Sequence, residues 1–241
     1  MSSSLQKHKC ENPFPQVLER MFSIFYDYKN PLDNLHELLE SSFFTLDQKQ
    51  YHKHLHEWTK DRNSIFVKRF HEYVDKYTHF NETYYEFIRK NILPLFPEET
   101  HIVVQKTPNI RFSLPDNAAI GYDKKDPDNI IGLHCDSDFG HHHTEMNFII
   151  PITPMFDSNS IYHETHPDSK TTPHDFENLT LETNEFAQAY FNKIHHCNRI
   201  NKTGKTRISF DIRVIPYSKY QNHLEEFNGT KFELGNYYIV L

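Results

Sequence analysis

Residues 207–214 read RISFDIRV, and polar and apolar side chains alternate along the whole stretch. Successive side chains of a β-strand point to opposite faces of its sheet, so the alternation predicts a strand with one apolar and one polar face. The apolar face comprises Ile208, Phe210, Ile212 and Val214, and the polar face comprises Arg207, Ser209, Asp211 and Arg213. This strand is the clearest sign that the C-terminal part of the chain forms a sheet.

Further strands are predicted around it. They lie at residues 101–105, 110–114, 145–152 and 237–241, and an Asn228-Gly229 turn predicts a hairpin between 224–227 and 230–234. The polar faces admit two interpretations. In a half-exposed sheet they meet solvent, whereas in a barrel or jelly roll covered by helices they line a central cavity and imply a polar ligand. A large helical region upstream favours the second interpretation.

That upstream region, residues 13–98, has a helical pattern. Apolar and aromatic side chains recur there at a spacing of three to four residues, which predicts amphipathic helices packed on the sheet. Residues 1–12 are polar, and we expect them to form a flexible N-terminus. The chain is therefore expected to be one α+β domain, with the helical region 13–98 packed on a core at 99–241.

Composition excludes several classes of protein. There are 33 acidic and 26 basic residues, a formal net charge of -7, and no run of Lys and Arg, which argues against general binding of nucleic acid. No apolar run approaches the roughly 20 residues that a membrane helix needs. The start of the sequence lacks the apolar core of a secretory signal, and three Cys do not make a disulfide framework. We therefore expect a cytoplasmic protein that binds neither nucleic acid nor membrane.

The residues best suited to chemistry lie in the segment GLHCDSDFGHHHTEMNF. Its His134 and Asp136 are two positions apart, so on a strand they point the same way and can bind one metal ion. About 60 residues further on, His195 and His196 offer a third ligand. Two imidazoles and one carboxylate form the ligand set of non-haem Fe(II) oxygenases. Arg207 and Ser209 share one face of a predicted strand and suit a carboxylate ligand.

Taken together, these motifs resemble the Fe(II)/2-oxoglutarate-dependent oxygenases. More narrowly, residues 105–216 resemble the StrG-like group of streptomycin biosynthesis in the stretches QKTPNIRFSLP, HCDSDFGH, EMNFIIPIT, HETHP and HCNRINKTGKTRISFDIR. The resemblance implies a double-stranded β-helix, a jelly-roll and cupin-like fold, with an N-terminal helical layer. It also implies an enzyme that uses Fe(II), 2-oxoglutarate and O2 to hydroxylate a small polar metabolite, sugar-like or amino-acid-like, with release of succinate and CO2.

The resemblance also implies roles for individual residues. His134, Asp136 and His196 would be the iron ligands, with His196 preferred because the group has His-x-Asn where this chain has His196-Cys197-Asn198. Arg207 and Ser209 would bind the distal carboxylate of 2-oxoglutarate. Asn147 is a candidate cosubstrate contact from its position on a predicted strand, and an internal hydrogen bond is the alternative for it, as for Arg111 and Glu164. The chain departs from the group at Cys197, where glycine is expected. Cys135 also adjoins the ligands, so two thiols flank the predicted site.

Several assignments have alternatives. Residues at or near the predicted site are candidates for substrate contact: Arg111, Asp138, His142, Glu164 and Arg213. Arg213 shares a face with Arg207 and is the alternative carboxylate anchor. His141–His143 are expected to form a loop after the H-x-D motif rather than a metal tract, and the paired spacing of structural zinc sites is absent. The alternative functions are a non-catalytic cupin-like binding protein and an oxygenase that acts on a protein substrate.

Overall fold

The computed structural model of the chain describes residues 5–45, 64–116, 131–165 and 172–241. Within these ranges the chain combines two antiparallel sheets with a group of helices, which is the predicted mixture of helix and sheet. Among the described helices, none has both the length and the apolar character needed to cross a membrane.

The larger sheet contains seven strands, all paired antiparallel. They are β1 (Leu5–Lys9), β2 (Ile102–Gln105), β3 (Asn109–Ser113), β5 (Met146–Pro151), β8 (Glu185–Ala189), β10 (Arg207–Pro216) and β11 (Tyr238–Val240). Their order across the sheet is β1-β8-β5-β10-β2-β11, and β3 pairs with β10 beside β2. The strands predicted at 101–105, 110–114, 145–152, 207–214 and 237–241 are thus confirmed.

The smaller sheet has the order β4-β9-β6-β7 and is also antiparallel. Its strands are short: β4 (Ile131–His134), β6 (Ile161–His163), β7 (Glu177–Asn178) and β9 (His196–Asn198). One-turn 3-10 segments follow β4 and β5 and precede β7, at Asp136–Phe139, Asp157–Asn159 and Pro173–Asp175. The turn at Asp136–Phe139 connects this sheet to the loop that enters β5.

The N-terminal helices cover the apolar face of the larger sheet. They are α1 (Phe14–Tyr26), a 3-10 helix (Leu32–Glu40), α2 (Ile65–Lys76) and α3 (His79–Phe87), which continues as a π turn (Ile88–Ile92) and a 3-10 turn (Leu93–Leu95). Phe210 of β10 is the centre of the contact, with ring centroids 5.0 Å from Phe14, 5.5 Å from Phe70 and 5.9 Å from Phe80. Because side chains alternate along β10, its polar face points away from the helices.

Two short helices near the C-terminus were not predicted. They are α4 (Tyr217–Asn222) and α5 (Leu224–Phe227), so the hairpin expected between 224–227 and 230–234 is wrong. Leu224 and Phe227 are three residues apart, which is the spacing of one helical turn. Phe227 is buried with its ring 4.6 Å from that of Tyr220, and this packing favours a helix over an extended strand. Gly229 still forms a turn, with φ of 74°.

The expectation of a flexible N-terminus at residues 1–12 is wrong for Leu5–Lys9. These residues form β1 and pair with β8 from Leu5 opposite Ala189 to Lys9 opposite Glu185. Hydrogen bonds between backbone groups hold the two strands together. An edge strand therefore needs few apolar side chains and can carry lysines on its exposed side. Lys9 also forms an ion pair with Glu185 at 2.8 Å.

Helix α2 depends on a cap that provides a stability test. The Ser64 hydroxyl accepts a hydrogen bond from the Val67 backbone N–H at 3.2 Å. Ser64→Ala should lower the free energy of unfolding by about 1 kcal/mol, because that N–H loses its partner. In a chain of this size the melting temperature should fall by roughly 2–4 °C. The control Ser23→Ala, at an exposed position inside α1, should change it little; equal losses would contradict the capping role.

Candidate metal centre

The two histidines of the predicted site lie side by side in the smaller sheet. His134 ends β4 and His196 begins β9, and the two residues are direct partners in the strand register. Paired residues on adjacent antiparallel strands project to the same face, so their rings meet, with centroids 4.2 Å apart. Asp136 starts the 3-10 turn immediately after β4 and is 3% exposed. The fold thus brings residues about 60 positions apart into one cluster.

The donor atoms of this cluster converge. Oδ1 of Asp136 lies 3.5 Å from Nε2 of His134 and 3.8 Å from Nε2 of His196. One ligand atom from each residue lies within 4.8 Å of the other two. Two atoms that each bind one ion at about 2.1 Å are separated by no more than about 4.2 Å. The measured distances from Asp136 to both imidazoles are therefore compatible with a shared metal ion.

Backbone carbonyls orient both imidazoles. Nδ1 of His134 hydrogen-bonds the Gly132 carbonyl, and Nδ1 of His196 lies 3.5 Å from the Ile194 carbonyl. A carbonyl oxygen only accepts, so each Nδ1 carries a proton and Nε2 is the ring atom that faces Asp136. Burial opposes the charged form of His134, but its hydrogen bonds to Asp136 and to the Gly132 carbonyl raise its pKa. Burial lowers the pKa of His196 to about 4, which keeps that imidazole neutral near pH 7. Metal-ligating histidines require this neutral form.

The second carboxylate oxygen of Asp136, Oδ2, is hydrogen-bonded on the side away from the histidines. Oδ2 accepts hydrogen bonds from Nδ2 of Asn147 at 2.8 Å and from Nη2 of Arg213 at 2.7 Å, which leaves Oδ1 facing the histidines. Burial alone would raise the pKa of Asp136, but Arg213 together with the hydrogen-bond donors around the carboxylate holds it well below its usual range. Arg213 also pairs with Asp211 at 3.2 Å. This network fixes the carboxylate in its ionised form and in one orientation.

A buried arginine lies in the same cavity. Arg207 is 1% exposed, and its Nη1 donates to Oγ of Ser209 at 2.9 Å while its Nη2 donates to Oδ1 of Asn198 at 3.2 Å. Asn198 stands two residues after His196 on β9 and so shares its face. Among the described residues the cavity is lined by both sheets: Arg111, His134, Asp136, Ile149, Ile161, Phe191, His196, Asn198, Arg207, Ser209, Asp211 and Arg213.

Two of the predicted contact residues, Asn147 and Arg213, hydrogen-bond Asp136. Asn147 was a candidate for cosubstrate contact or for an internal hydrogen bond, and its Nδ2 donates to Asp136 at 2.8 Å and to Asp211 at 3.2 Å. The register of the larger sheet places it opposite Arg213, so both side chains reach the same carboxylates. Arg213 lines the cavity, yet its guanidinium is bound by Asp136 and Asp211. The structure therefore places both residues where they position Asp136.

The remaining candidates for substrate contact divide differently. Arg111 lines the cavity from β3, opposite Ser209 in the register. Asp138 is exposed and accepts from the Cys135 backbone N–H at 2.9 Å, so it stabilises the 3-10 turn. Glu164 is buried and accepts from the backbone and ring of His195, at 2.7 and 3.0 Å. This contact also explains why His195 points outward, with its side chain 52% exposed, while His196 points inward.

The two cysteines beside the predicted ligands are buried and are not joined in a disulfide. Cys197 packs against Tyr162 and Phe176. Because side chains alternate along β9, the Cys197 side chain points to the opposite face from His196. Burial raises the pKa of the Cys135 thiol to about 11, so it stays protonated and is a poor metal ligand. Neither thiol lines the cavity.

Sequence reasoning missed two residues that contact the predicted ligands. Phe191 stacks on His196 with ring centroids 4.2 Å apart and an interplanar angle of 21°. Asp211 receives both Asn147 and Arg213. The alternation of β10 already placed Asp211 on the same face as Arg207 and Arg213, and that pattern was the available signal. Nothing in the sequence around Phe191 indicated its place beside a histidine.

Comparison with known proteins gives one match in sequence. No protein-family model matches the chain. The streptomycin biosynthesis protein StrG of Streptomyces griseus is 25% identical over 180 residues, which cover 74% of this chain and 77% of StrG. The chain is therefore similar in sequence to StrG. The match confirms the resemblance to the StrG-like group on which the predicted ligand set depends.

Comparison with solved structures gives weaker likenesses. The non-heme monooxygenase ThoJ in complex with nickel is 8% identical, with a TM-score of 0.43 over 89% of this chain and 74% of ThoJ. AviO1 of Streptomyces viridochromogenes Tue57 is 9% identical, with a TM-score of 0.41 over 88% of this chain and 90% of AviO1. The epimerase SnoN in complex with Fe3+ and α-ketoglutarate matches over about half of each chain (47% and 50%), with 11% identity and a TM-score of 0.32.

Proposed function

We propose that this protein is an Fe(II)- and 2-oxoglutarate-dependent oxygenase that hydroxylates a small polar metabolite. The observation that carries the proposal is the convergence of His134, Asp136 and His196 in one cavity with the buried Arg207. On this proposal the two antiparallel sheets are the walls of a double-stranded β-helix, since strands of both sheets line the cavity. Residues 99–241 then form the catalytic core and residues 13–98 its helical cover, within one cytoplasmic domain.

Iron would be held by Nε2 of both histidines and by Oδ1 of Asp136. Two imidazoles and one carboxylate suit ferrous iron and leave coordination positions for other ligands. Bound Fe(II) supplies the redox chemistry with O2 that no side chain provides. The overall reaction balances as substrate, 2-oxoglutarate and O2 giving hydroxylated substrate, succinate and CO2. Asn147 and Arg213 act in this scheme as positioning residues, because they contact Asp136 from the side opposite the histidines.

The distal carboxylate of 2-oxoglutarate would pair with Arg207 and Ser209. An arginine fork donates two parallel hydrogen bonds to a carboxylate, and the Ser209 hydroxyl offers a further donor. Arg213 is the weaker candidate, because two carboxylates already bind its guanidinium. The cavity has about 40 Å³ of space open to water, so cosubstrate binding requires the side chains around it to move apart. Arg207 now donates to Ser209 and Asn198, and it would exchange at least one of these contacts for the carboxylate.

A small polar substrate, sugar-like or amino-acid-like, fits the character of the cavity. Most of the side chains that line it are polar or charged, including Arg111, Asn198 and Asp211. Such groups discriminate through hydrogen bonds to a substrate of matching polarity. The name of StrG, a streptomycin biosynthesis protein, supports a metabolite of that class by analogy. Arg111 is the candidate substrate contact, since it lines the cavity from β3.

Succinate release tests the proposed reaction. The iron-loaded protein should release succinate from 2-oxoglutarate under air, and pools of sugars and amino acids should be screened for stimulation of that release. The proposal requires a metabolite pool that stimulates release together with a product heavier by one oxygen atom. Stimulation only by peptide pools would indicate an oxygenase of protein substrates. No release with any pool, despite bound iron and cosubstrate, would indicate a non-catalytic binding protein.

The support of Asp136 provides a separate prediction. Asn147→Ala should weaken Fe(II) binding by about 10–100-fold, the usual cost of removing a partner that orients a metal ligand. The control Gln188→Ala removes an amide on the neighbouring strand β8 whose Nε2 contacts Met146 Sδ at 3.2 Å. Equilibrium dialysis with Fe(II) under anaerobic conditions measures both variants. Parent-like affinity in Asn147→Ala would show that the contact does not orient Asp136 for metal.

A further inference from the structure

A second group of histidines lies outside the cavity. His142 and His143 belong to the loop between the 3-10 turn at Asp136–Phe139 and β5, and His223 lies between α4 and α5. One ligand atom from each lies within 4.8 Å of the other two. The ring centroid of His142 is 4.2 Å from that of His143 and 5.0 Å from that of His223. None of the three lines the cavity that contains His134 and Asp136.

Glu226 of α5 adds a carboxylate to this group. Its Oε2 lies 2.9 Å from Nε2 of His142, and its Oε1 lies 2.7 Å from Nδ1 of His223. Nδ1 of His142 accepts a hydrogen bond from the Thr144 backbone N–H at 3.3 Å, so the ring proton belongs on Nε2 and is donated to Glu226. Three imidazoles therefore lie together at the junction of the loop with the C-terminal helices, and Glu226 hydrogen-bonds two of them.

We propose that His142, His143 and His223 form a second metal site, which binds zinc or a similar divalent transition metal. Three imidazole nitrogens suit a tetrahedral Zn²⁺ site whose fourth position is filled by water or by a nearby carboxylate. The metal replaces the hydrogen-bonded proton between His142 and Glu226 and joins segments about 80 residues apart in sequence.

The location of the site gives it a role in supporting the cavity. The His142 backbone N–H donates to Oε1 of Glu145 at 2.9 Å, and Nδ1 of His141 lies 2.7 Å from Oε2 of the same carboxylate. Glu145 in turn lies 3.9 Å from Nε of Arg213, which holds Asp136. A metal on His142 and His143 thus fixes the loop that carries Glu145 against α4 and α5. This site does not depend on what the cavity binds.

Cobalt distinguishes the two sites, because four-coordinate Co²⁺ absorbs visible light far more strongly than six-coordinate Co²⁺. The metal-free double variant His134→Ala/His196→Ala lacks the cavity ligands, and titration with Co²⁺ should still give a strong band that saturates at one equivalent. Zn²⁺ should abolish the band and raise the melting temperature. His143→Ala and His223→Ala, introduced into the same background, should weaken Co²⁺ binding by at least about 10–100-fold, since they remove ligands rather than the partners of ligands.

The matched control is His79→Ala, which removes a surface histidine 3.8 Å from Glu82 and should leave cobalt binding unchanged. His143 is exposed, so His143→Ala should fold normally, and its melting temperature without metal checks this. A strong band that survives in both His143→Ala and His223→Ala would overturn the assignment. So would a double variant that binds no Co²⁺ and gains no stability from Zn²⁺, since the group would then be only a hydrogen-bonded His–Glu network.

Discussion

The His196→Ala protein should bind no Fe(II) at concentrations that saturate the parent and should release no succinate, whereas His195→Ala should behave like the parent. The two histidines are adjacent in sequence but point in opposite directions. His196 is 8% exposed with Nε2 directed at Asp136, and the His195 side chain is 52% exposed and bound to Glu164. Removing one of three protein ligands leaves too few to retain ferrous iron. His134→Ala and Asp136→Ala should lose iron in the same way.

Anaerobic Fe(II) binding and succinate release measure this contrast, and the melting temperature of each variant shows whether it folds. His196→Gln provides a second variant that fills more of the space left by the ring. An inactive His195→Ala beside an active His196→Ala would move the distal ligand by one residue. Loss of iron from both would mean that the Glu164–His195 contact is needed to hold β9 in place.

In the Arg207→Ala protein, the dissociation constant for 2-oxoglutarate should be about thirtyfold higher than in the parent, or more. Truncating one partner of a buried charge pair typically costs about 2–5 kcal/mol, and about 1.4 kcal/mol corresponds to a tenfold change. Arg207→Lys should recover part of the affinity, because lysine offers a point charge without the fork. Ser209→Ala removes one hydroxyl donor to a charged group, worth about 1.5–3 kcal/mol at most, so its effect should be smaller.

Arg213→Lys is the matched control for this prediction. Arg213 binds Asp136 and Asp211, so its replacement should weaken Fe(II) binding. The dissociation constant of the iron-loaded protein for 2-oxoglutarate should stay near that of the parent. Titration of 2-oxoglutarate into each iron-loaded variant, without O2, separates the two effects. The reverse pattern, with a parent-like Arg207→Ala and a raised constant in Arg213→Lys, would make Arg213 the carboxylate anchor.

The strands of the larger sheet were predictable because each face meets a different environment. The apolar face of β10 packs on Phe14, Phe70 and Phe80 of the helices, and its polar face lines the cavity, so the sequence alternates without a break. The pairing of β1 with β8 leaves no such alternation in the sequence of β1. Its stabilisation comes from backbone hydrogen bonds, which do not depend on side-chain type.

The candidate metal ligands were predictable from spacing and resemblance, but their surroundings were not. The H-x-D motif and a later histidine indicate a ligand set, whereas the pairing of His134 with His196 depends on the register between β4 and β9. The role of Arg213, as carboxylate anchor or as substrate contact, could not be decided from sequence for the same reason. Its distance in sequence from Asp136 gives no sign of the 2.7 Å contact that fixes it behind the carboxylate.

The histidines of the loop show how a local pattern misleads. His142 was considered for substrate contact, and the absence of paired zinc spacing argued against a structural site. His223 and Glu226 reach His142 only because α4 and α5 replace the expected hairpin, which puts both side chains against the loop. Spacing rules detect ligands that are close in sequence, and this group is assembled by tertiary structure.

The most direct test of the cavity's function is an anaerobic titration of the metal-free protein, first with Fe(II) and then with 2-oxoglutarate, followed by visible absorption. A weak charge-transfer band should appear only when both are present, saturate at one equivalent of iron per chain, and be absent from His196→Ala. Arg207→Ala should require a much higher 2-oxoglutarate concentration for the same band. No band in the parent protein, or an unchanged band in His196→Ala, would contradict an Fe(II)/2-oxoglutarate site at His134, Asp136 and His196.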